Sequence, residues 1–510
     1  MQSASADGQA GAQAAASIAV RLAWRWIART AAIAFALFIT PYSVVQSRTY
    51  DTDPDIWWHI RVGDWITAHH AWPRVGIFSQ HADLPWTAYS WAFDLLVSRV
   101  NRWFGLPGIP GLLLCVEILL SLIFLLALRR IAGRFWPAWV IGTSAICAFY
   151  TNPLRPVLAS LLFFTIELLL IFENERRGDD RVIRWIPLLF VAWANCHIQF
   201  VYGMAVLGLY VGARIVALLG HAGGECERPR GSTGLLAGIL GLSVLASCVG
   251  PNYFLPYEVA LRYTGQTFVY QIIQEMHAMN FRQPGHYFAL ILLMAACFAA
   301  GKSQRRDLFR PGLLIACAIV SFRSQRDIWF VSMAAAFVIA EAVRARWAAE
   351  PPEQGGAART IDSSSFAVAS AVAVALSFTI AIRAGMSTPV MIGEIDRVYP
   401  IGATEFVRDA HLQGPIFNSF NFGGFLIFNL PEYPVSMDPR TDLYGDDRVR
   451  RSIATTNAID WQNDADLARA NFVMIERYFP LAGALANSAD YRLAYQDQVA
   501  MVYVRKRARP

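Results

Sequence analysis

The feature that most limits how this chain can fold is a series of apolar runs separated by short basic clusters. The runs fall near residues 31–46, 108–127, 135–150, 157–172, 185–196, 200–219, 234–249, 287–300, 311–322, 328–343 and 364–382. A helix rises about 1.5 Å per residue, so ~20 apolar residues cross ~30 Å of hydrocarbon. Several runs are shorter than that, and the pattern predicts about eleven spans. Composition agrees: 55% of residues are hydrophobic and 16% charged, against ~25% charged in an ordinary soluble protein. A soluble chain of 510 residues needs more charge to coat its surface. The fold class expected is a polytopic α-helical membrane protein.

Charge placement orients it. Lys and Arg number 44 and Asp and Glu 38, for a net charge of +6. With the N-terminus in the cytoplasm and the spans alternating, the inside segments hold 19 Lys/Arg in 90 residues and the outside loops 10 in 116. Basic loops stay inside, so the excess charge reads as an orientation signal and no nucleic-acid partner is expected. The weakest joint is 185–219. One long helix there would invert the downstream topology and put GKSQRRDLFR outside, so two helices are expected. The basic residues are nearly all Arg, with only Lys302 and Lys506 as exceptions, which suggests a bacterial chain and the inner membrane. Six of the seven cysteines lie in or beside apolar runs, so no disulfide framework is readable.

Three parts follow. Residues 1–30 are expected to be a cytoplasmic tail, disordered over the Ala/Gly/Gln/Ser-rich stretch 1–17. Residues 31–383 form the membrane module, with a long first outer loop at 47–107. Within that loop WWHIRVGDWITAHH and WTAYSWAFDLLVSRVNRWFG carry aromatic residues at a helical period and read as helices lying at the interface. Residues 384–510 form an extracytoplasmic α/β domain, with β-prone runs at 415–419, 434–438, 471–475 and 499–505 between helical stretches. There Gly423 and Gly424 read as a turn between strand and helix.

The unusual polar residues gather at the outer ends of the spans. In YDTDPDIWWHIRVGDWI, Asp51, Asp53 and Asp55 alternate around Pro54, which holds its predecessor out of the helical region. Asp53 and Asp55 can act as a general base on an acceptor hydroxyl or as part of a divalent-cation (Mg or Mn) site. Equally, Asp55 can cap the helix starting near Ile56. Arg155 sits against Pro156, and Arg323 and Arg326 share the short SFRSQRD loop. A guanidinium fork at a membrane cavity suits a phosphate, while headgroup contact is the bland alternative. Asn195 and His197 in WANCHIQF, Tyr253, and Glu275 in QIIQEMH are weaker substrate-binding candidates. Glu117 lies mid-span, and Glu167 is near enough to the inner end to snorkel. Asp438, Arg440 and Asp442 follow a strand end, where either ligand binding or structural pairing is possible. No Walker A, HExxH, CxxC or GxSxG motif is present, so nucleotide, zinc-protease and serine-hydrolase chemistries have no support.

Asp-x-Asp in the first outer loop, amphipathic outer helices, about eleven spans and an outer soluble domain resemble the GT-C superfamily of integral-membrane glycosyltransferases. TDPDIWWHIRVGDWI, the LRP segment, WANCHIQF and FNFGGFLIF…MDPRTDLYG are similar to the bacterial protein-mannosyltransferase-like group, over roughly residues 30–505. The resemblance implies inverting transfer of a sugar from a polyprenyl-phosphate donor to a periplasmic acceptor, whether glycan, lipid or protein. Asp53 or Asp55 would be the base, and Arg155, Arg323 and Arg326 would hold the leaving phosphate. The acids flank proline here instead of forming an adjacent pair, and His59 follows the tryptophan pair where an oligosaccharyltransferase has Asp. A lipid-linked glycan transporter and a non-catalytic assembly protein are the alternatives.

Overall fold

The structure is a computed structural model that describes residues 2–47, 53–149, 153–222, 231–302, 308–347 and 356–506; Asp51 lies outside them. In chain order the helices are α1 Gln2–Ser47, α2 Asp55–His69, α3 Trp91–Phe104, α4 Gly108–Ala132, α5 Phe135–Phe149, α6 Val157–Arg177, α7 Ile186–Cys196, α8 Phe200–Ala222 and α9 Thr233–Ser247. They continue as α10 Leu255–Gly265, α11 Val269–Ile272, α12 Pro284–Gly301, α13 Phe309–Arg323, α14 Ile328–Arg346, α15 Gly356–Arg383, α16 Thr388–Ile395 and α17 Ile401–Asp409. The C-terminal part adds β1 Ile416–Asn418, α18 Phe420–Asn429, α19 Thr441–Thr456, α20 Ala465–Arg469, β2 Phe472–Glu476, α21 Pro480–Ala486, β3 Tyr491–Gln496 and β4 Ala500–Arg505.

Every apolar run in the sequence is a helix. Among the described residues, 7 of these helices are long and apolar enough to cross a membrane, and α5, α7 and α9 are shorter apolar helices. Their outward faces carry exposed Leu119, Val140, Ile291, Phe298 and Ile319, side chains that need lipid around them. The chain is a multi-pass membrane protein with a small C-terminal sheet domain. The expected disordered start is instead the first part of α1, because its many alanines are the strongest helix formers. Residues 185–219 do break into two helices: His197 is extended (φ −158°, ψ 141°) between α7 and α8. Glu167 does not snorkel, being fully buried with neither carboxylate oxygen hydrogen-bonded.

The domain carries a four-stranded sheet in the order β1-β2-β4-β3. β1 pairs parallel with β2, and β4 is antiparallel to both β2 and β3. Of the four β-prone runs, 434–438 contributes only an isolated bridge, Val435 to Ser79. Gly423 and Gly424 lie within α18, not in a turn. Their missing side chains let α18 approach two loops: a Cβ on Gly423 would collide with Met437 O, and one on Gly424 with Pro54 O.

That second contact joins the domain to the acidic turn. Trp58, Val62 and Trp86 from the segment 53–107 share one hydrophobic core with Phe422, Leu426, Met437 and Phe472 of the domain. Trp57 sits edge-on to Phe425 at 5.4 Å and to Tyr399 at 5.8 Å. Burying aromatics of this size contributes about 1.5–3 kcal/mol each. The segment 53–107 and the C-terminal domain are therefore one packed unit on one end of the bundle. Gly424→Val should cost about 1–3 kcal/mol by overpacking against Pro54. Thermal unfolding in detergent checks this, with Gly483→Ala as the control, since open space surrounds a Cβ there.

Candidate functional site

Pro54 starts α2 by supplying a fixed φ of −69°, and the acids on either side of it take different jobs. The Asp55 backbone N–H donates to Asp53 Oδ1 at 3.1 Å, so Asp53, not Asp55, satisfies the helix start. Asp53 is also gripped by Arg155: Nε donates to Oδ1 and Oδ2 at 3.2 and 3.0 Å, and Nη2 to Oδ1 at 2.8 Å. The same Nη2 lies 3.2 Å from Asp55 Oδ2, and Arg155 Nη1 donates to Glu275 Oε1 at 2.5 Å. One guanidinium thus holds three carboxylates from two separate segments. Arg155 has pKa raised further by these acids, although burial acts the other way. The Glu275 carboxyl is held below its ordinary value by Arg155 and Arg326 against the effect of burial.

These residues border a cavity of about 1090 Å³ between the bundle and the domain. Asp55, His59, Arg155, His197, Glu275 and Arg326 all line it. The bundle contributes helix ends from one side only: Ala148 closing α5, Pro156 before α6, His197 after α7, Gly285 and His286 opening α12, and Ile328 opening α14. The domain contributes Phe420, Asn421, Thr441 and Asp442. Asp55 faces the cavity with its side chain 21% exposed, while Asp53 is 4% exposed behind it. Trp58 Nε1 donates to Asp55 Oδ1 at 3.3 Å. Burial pushes the Asp55 carboxyl up and Arg155 pulls it back, with a net rise.

Arg326 also lines the cavity, with Nη1 3.5 Å from the same Glu275 Oε1 that Arg155 holds. His197 is fixed from behind: Trp193 Nε1 donates to Ser160 Oγ at 2.8 Å, and Ser160 Oγ meets His197 Nδ1 at 2.7 Å. A Ser160 hydroxyl that accepts from the indole and donates its own proton to Nδ1 places the ring proton on Nε2. Burial and the nearby Arg326 hold His197 well below its usual pKa. His197 is therefore a neutral hydrogen-bond donor on the cavity wall, suited to an anion.

Three other sequence candidates lie elsewhere. Arg323 sits with its Cζ 5.1 Å from the Tyr270 ring centroid and does not line the cavity. Asn195 is structural: it accepts from Trp91 Nε1 at 2.8 Å and donates to the carbonyls of Val191 and Val249 at 2.7 Å. Tyr253 is 66% exposed at a positive φ of 48°. Arg155 lines the cavity and its donors serve the carboxylates of Asp53, Asp55 and Glu275. Among the described residues no group of three or more His, Cys, Asp or Glu could hold a metal ion. In the domain, Asp438 and Arg440 form a fully buried bidentate pair at 2.8 and 2.7 Å, a structural role. Asp442 lines the cavity, accepts from Trp86 Nε1 at 3.0 Å, and is pushed up to about 6 by burial.

No family model and no curated protein matches the chain in sequence. Among solved structures it is similar to two crystal structures of ArnT from Cupriavidus metallidurans, one bound to undecaprenyl phosphate and one in the apo state. Each is 15% identical and covers 94% of this chain, with 97% and 98% of those chains covered and TM-scores of 0.45 and 0.47. At that identity and those scores the likeness carries nothing about activity.

Removing Arg155 leaves three buried or half-buried carboxylates without their shared cation. Breaking a buried pair costs about 3–5 kcal/mol. Arg155→Ala should therefore melt well below wild type at neutral pH. The uncompensated acids would then have raised pKa values in the folded state, so folding takes up protons and stability recovers as pH falls. Melting curves at pH 8 and pH 5 check the sign.

Proposed function

We propose that the chain is a membrane glycosyltransferase of GT-C type, moving a sugar from a polyprenyl-phosphate donor to an acceptor hydroxyl. The observation that carries this is the cavity between bundle and domain, whose lining brings together the Asp55 carboxylate, the Arg326 guanidinium and His197. Asp55 takes the proton of the acceptor hydroxyl. Its oxygen bonds to the anomeric carbon as the bond from that carbon to the phosphate oxygen breaks, and the electron pair leaves with the phosphate. Arg326 and His197 Nε2 receive the growing phosphate charge. One displacement of this kind inverts the anomeric centre. Asp53 and Arg155 position Asp55 and do not touch substrate.

The donor's lipid tail needs only a route along the bundle, which accords with a chain that has no nucleotide-phosphate motif. The basic-residue bias of the loops supports a cytoplasmic N-terminus and a periplasmic cavity. The acceptor lies toward the domain wall, where Asn421 and Asp442 face the cavity.

Asp55→Asn should lower sugar transfer by about 10²–10⁴-fold, the usual size of a general-base contribution. A deletion strain should accumulate the lipid-linked sugar and lose a surface glycan, and Asp55→Asn should fail to restore it. Full complementation by both Asp53→Asn and Asp55→Asn sinks the proposal. Because the base must be unprotonated and burial raises its pKa above 3.8, kcat/KM should fall as pH drops through a value higher than that of an ordinary aspartate.

A further inference from the structure

His59 lies one helical turn beyond Asp55 on α2, on the same face at i, i+4 spacing, and both side chains line the cavity. Its Nδ1 meets Asp94 Oδ1 of α3 at 2.5 Å, and the two side chains are 4% and 1% exposed. The ring is also fixed by stacking on Trp58, centroids 3.6 Å apart, and by Phe93 edge-on at 5.0 Å. The pair exists because α2 and α3 pack in close contact: a Cβ on Gly63, one turn further along, would collide with Asp94 O, and would lie 2.6 Å from Ser98 Cβ. With Nδ1 tied to Asp94, Nε2 is the ring nitrogen left to exchange a proton at the cavity that His59 lines. An imidazole whose second nitrogen is held by a buried carboxylate is the arrangement that orients a proton acceptor and stabilises its charged form.

We propose that His59, seated on Asp94, is the proton exit from Asp55. The inference rests on the glycosyltransferase reading. After transfer, Asp55 carries the acceptor's proton. That proton passes to His59 Nε2, the imidazolium is balanced by Asp94, and water in the cavity removes it. Asp55 is then an unprotonated base again, and no oxidant or co-reactant is needed. The charged and titratable groups around His59 are Asp55 on its own helix, Asp94 on α3, Arg155 before α6, His197 between α7 and α8, Glu275 before α12 and Arg326 before α14. The route explains why a helix that bears the base also bears a buried His–Asp pair, which packing alone does not require.

The test uses full-length protein in proteoliposomes, labelled polyprenyl-phosphoryl hexoses as donors and membranes of the deletion strain as acceptor source. His59→Ala should lower kcat by about 100-fold with the donor KM unchanged, and added imidazole should restore most of the loss. Asp94→Asn should lower kcat by about tenfold and displace the pH–rate profile. Asp55→Asn should not respond to imidazole. His59→Gln serves as a variant of closer size if the alanine form unfolds. A His59 variant within about threefold of wild type, or a loss that imidazole leaves untouched, overturns the proton route while the transferase reading stands. Wild-type protein that transfers from none of the donors overturns both.

Discussion

The site depends on the Arg155 guanidinium. Three carboxylates from the first outer loop and from the segment before α12 converge on it. Such a concentration of negative charge under partial burial is unfavourable unless a cation sits at its centre. Arg155 supplies that cation, and its planar fork fixes each acid in direction as well as in charge. Asp53 is drawn back and buried, Asp55 is left facing the cavity, and Glu275 bridges to Arg326. Which acid is buried and which faces the cavity follows from which carboxylate the fork grips with most bonds.

The packing around this cluster is what makes it rigid. Pro54 starts α2, Gly424 lets α18 rest on the Pro54 carbonyl, and Gly63 lets α3 close on α2. The outer loop contributes to the domain's core through Trp58, Val62 and Trp86. The C-terminal domain is thus a wall of the cavity and a support for its base. The helical bundle and the domain meet at a polar chamber.

The membrane architecture was legible because apolar runs and basic clusters are local signals. The eleven runs, the two outer-loop helices and three of the four β-prone segments all appear as regular elements or nearly so. β3 was not legible: Tyr491–Gln496 is an edge strand whose side chains are largely exposed, so it lacks the apolar pattern of a buried strand. The site was half legible. Asp55, His197, Glu275 and Arg326 stand out as polar residues at outer helix ends. The sequence favoured Asp53 over Asp55, whereas Arg155, about a hundred residues away, buries Asp53 and leaves Asp55 facing the cavity. Arg155 itself looked like a phosphate ligand for the same reason, its partners being distant in sequence. His59 stood out only as the residue after the tryptophan pair and Asp94 not at all, because only the close approach at Gly63 joins the two.

The central claim is that the leaving phosphate sits opposite Asp55, on Arg326 and His197. The most direct measurement is a structure of the protein with polyprenyl phosphate bound. The account predicts a phosphate within hydrogen-bonding distance of the Arg326 guanidinium and His197 Nε2, with Arg155 still holding Asp53 and Asp55. A phosphate seated on Arg155 with the carboxylates displaced, or a lipid bound outside the cavity, would contradict it.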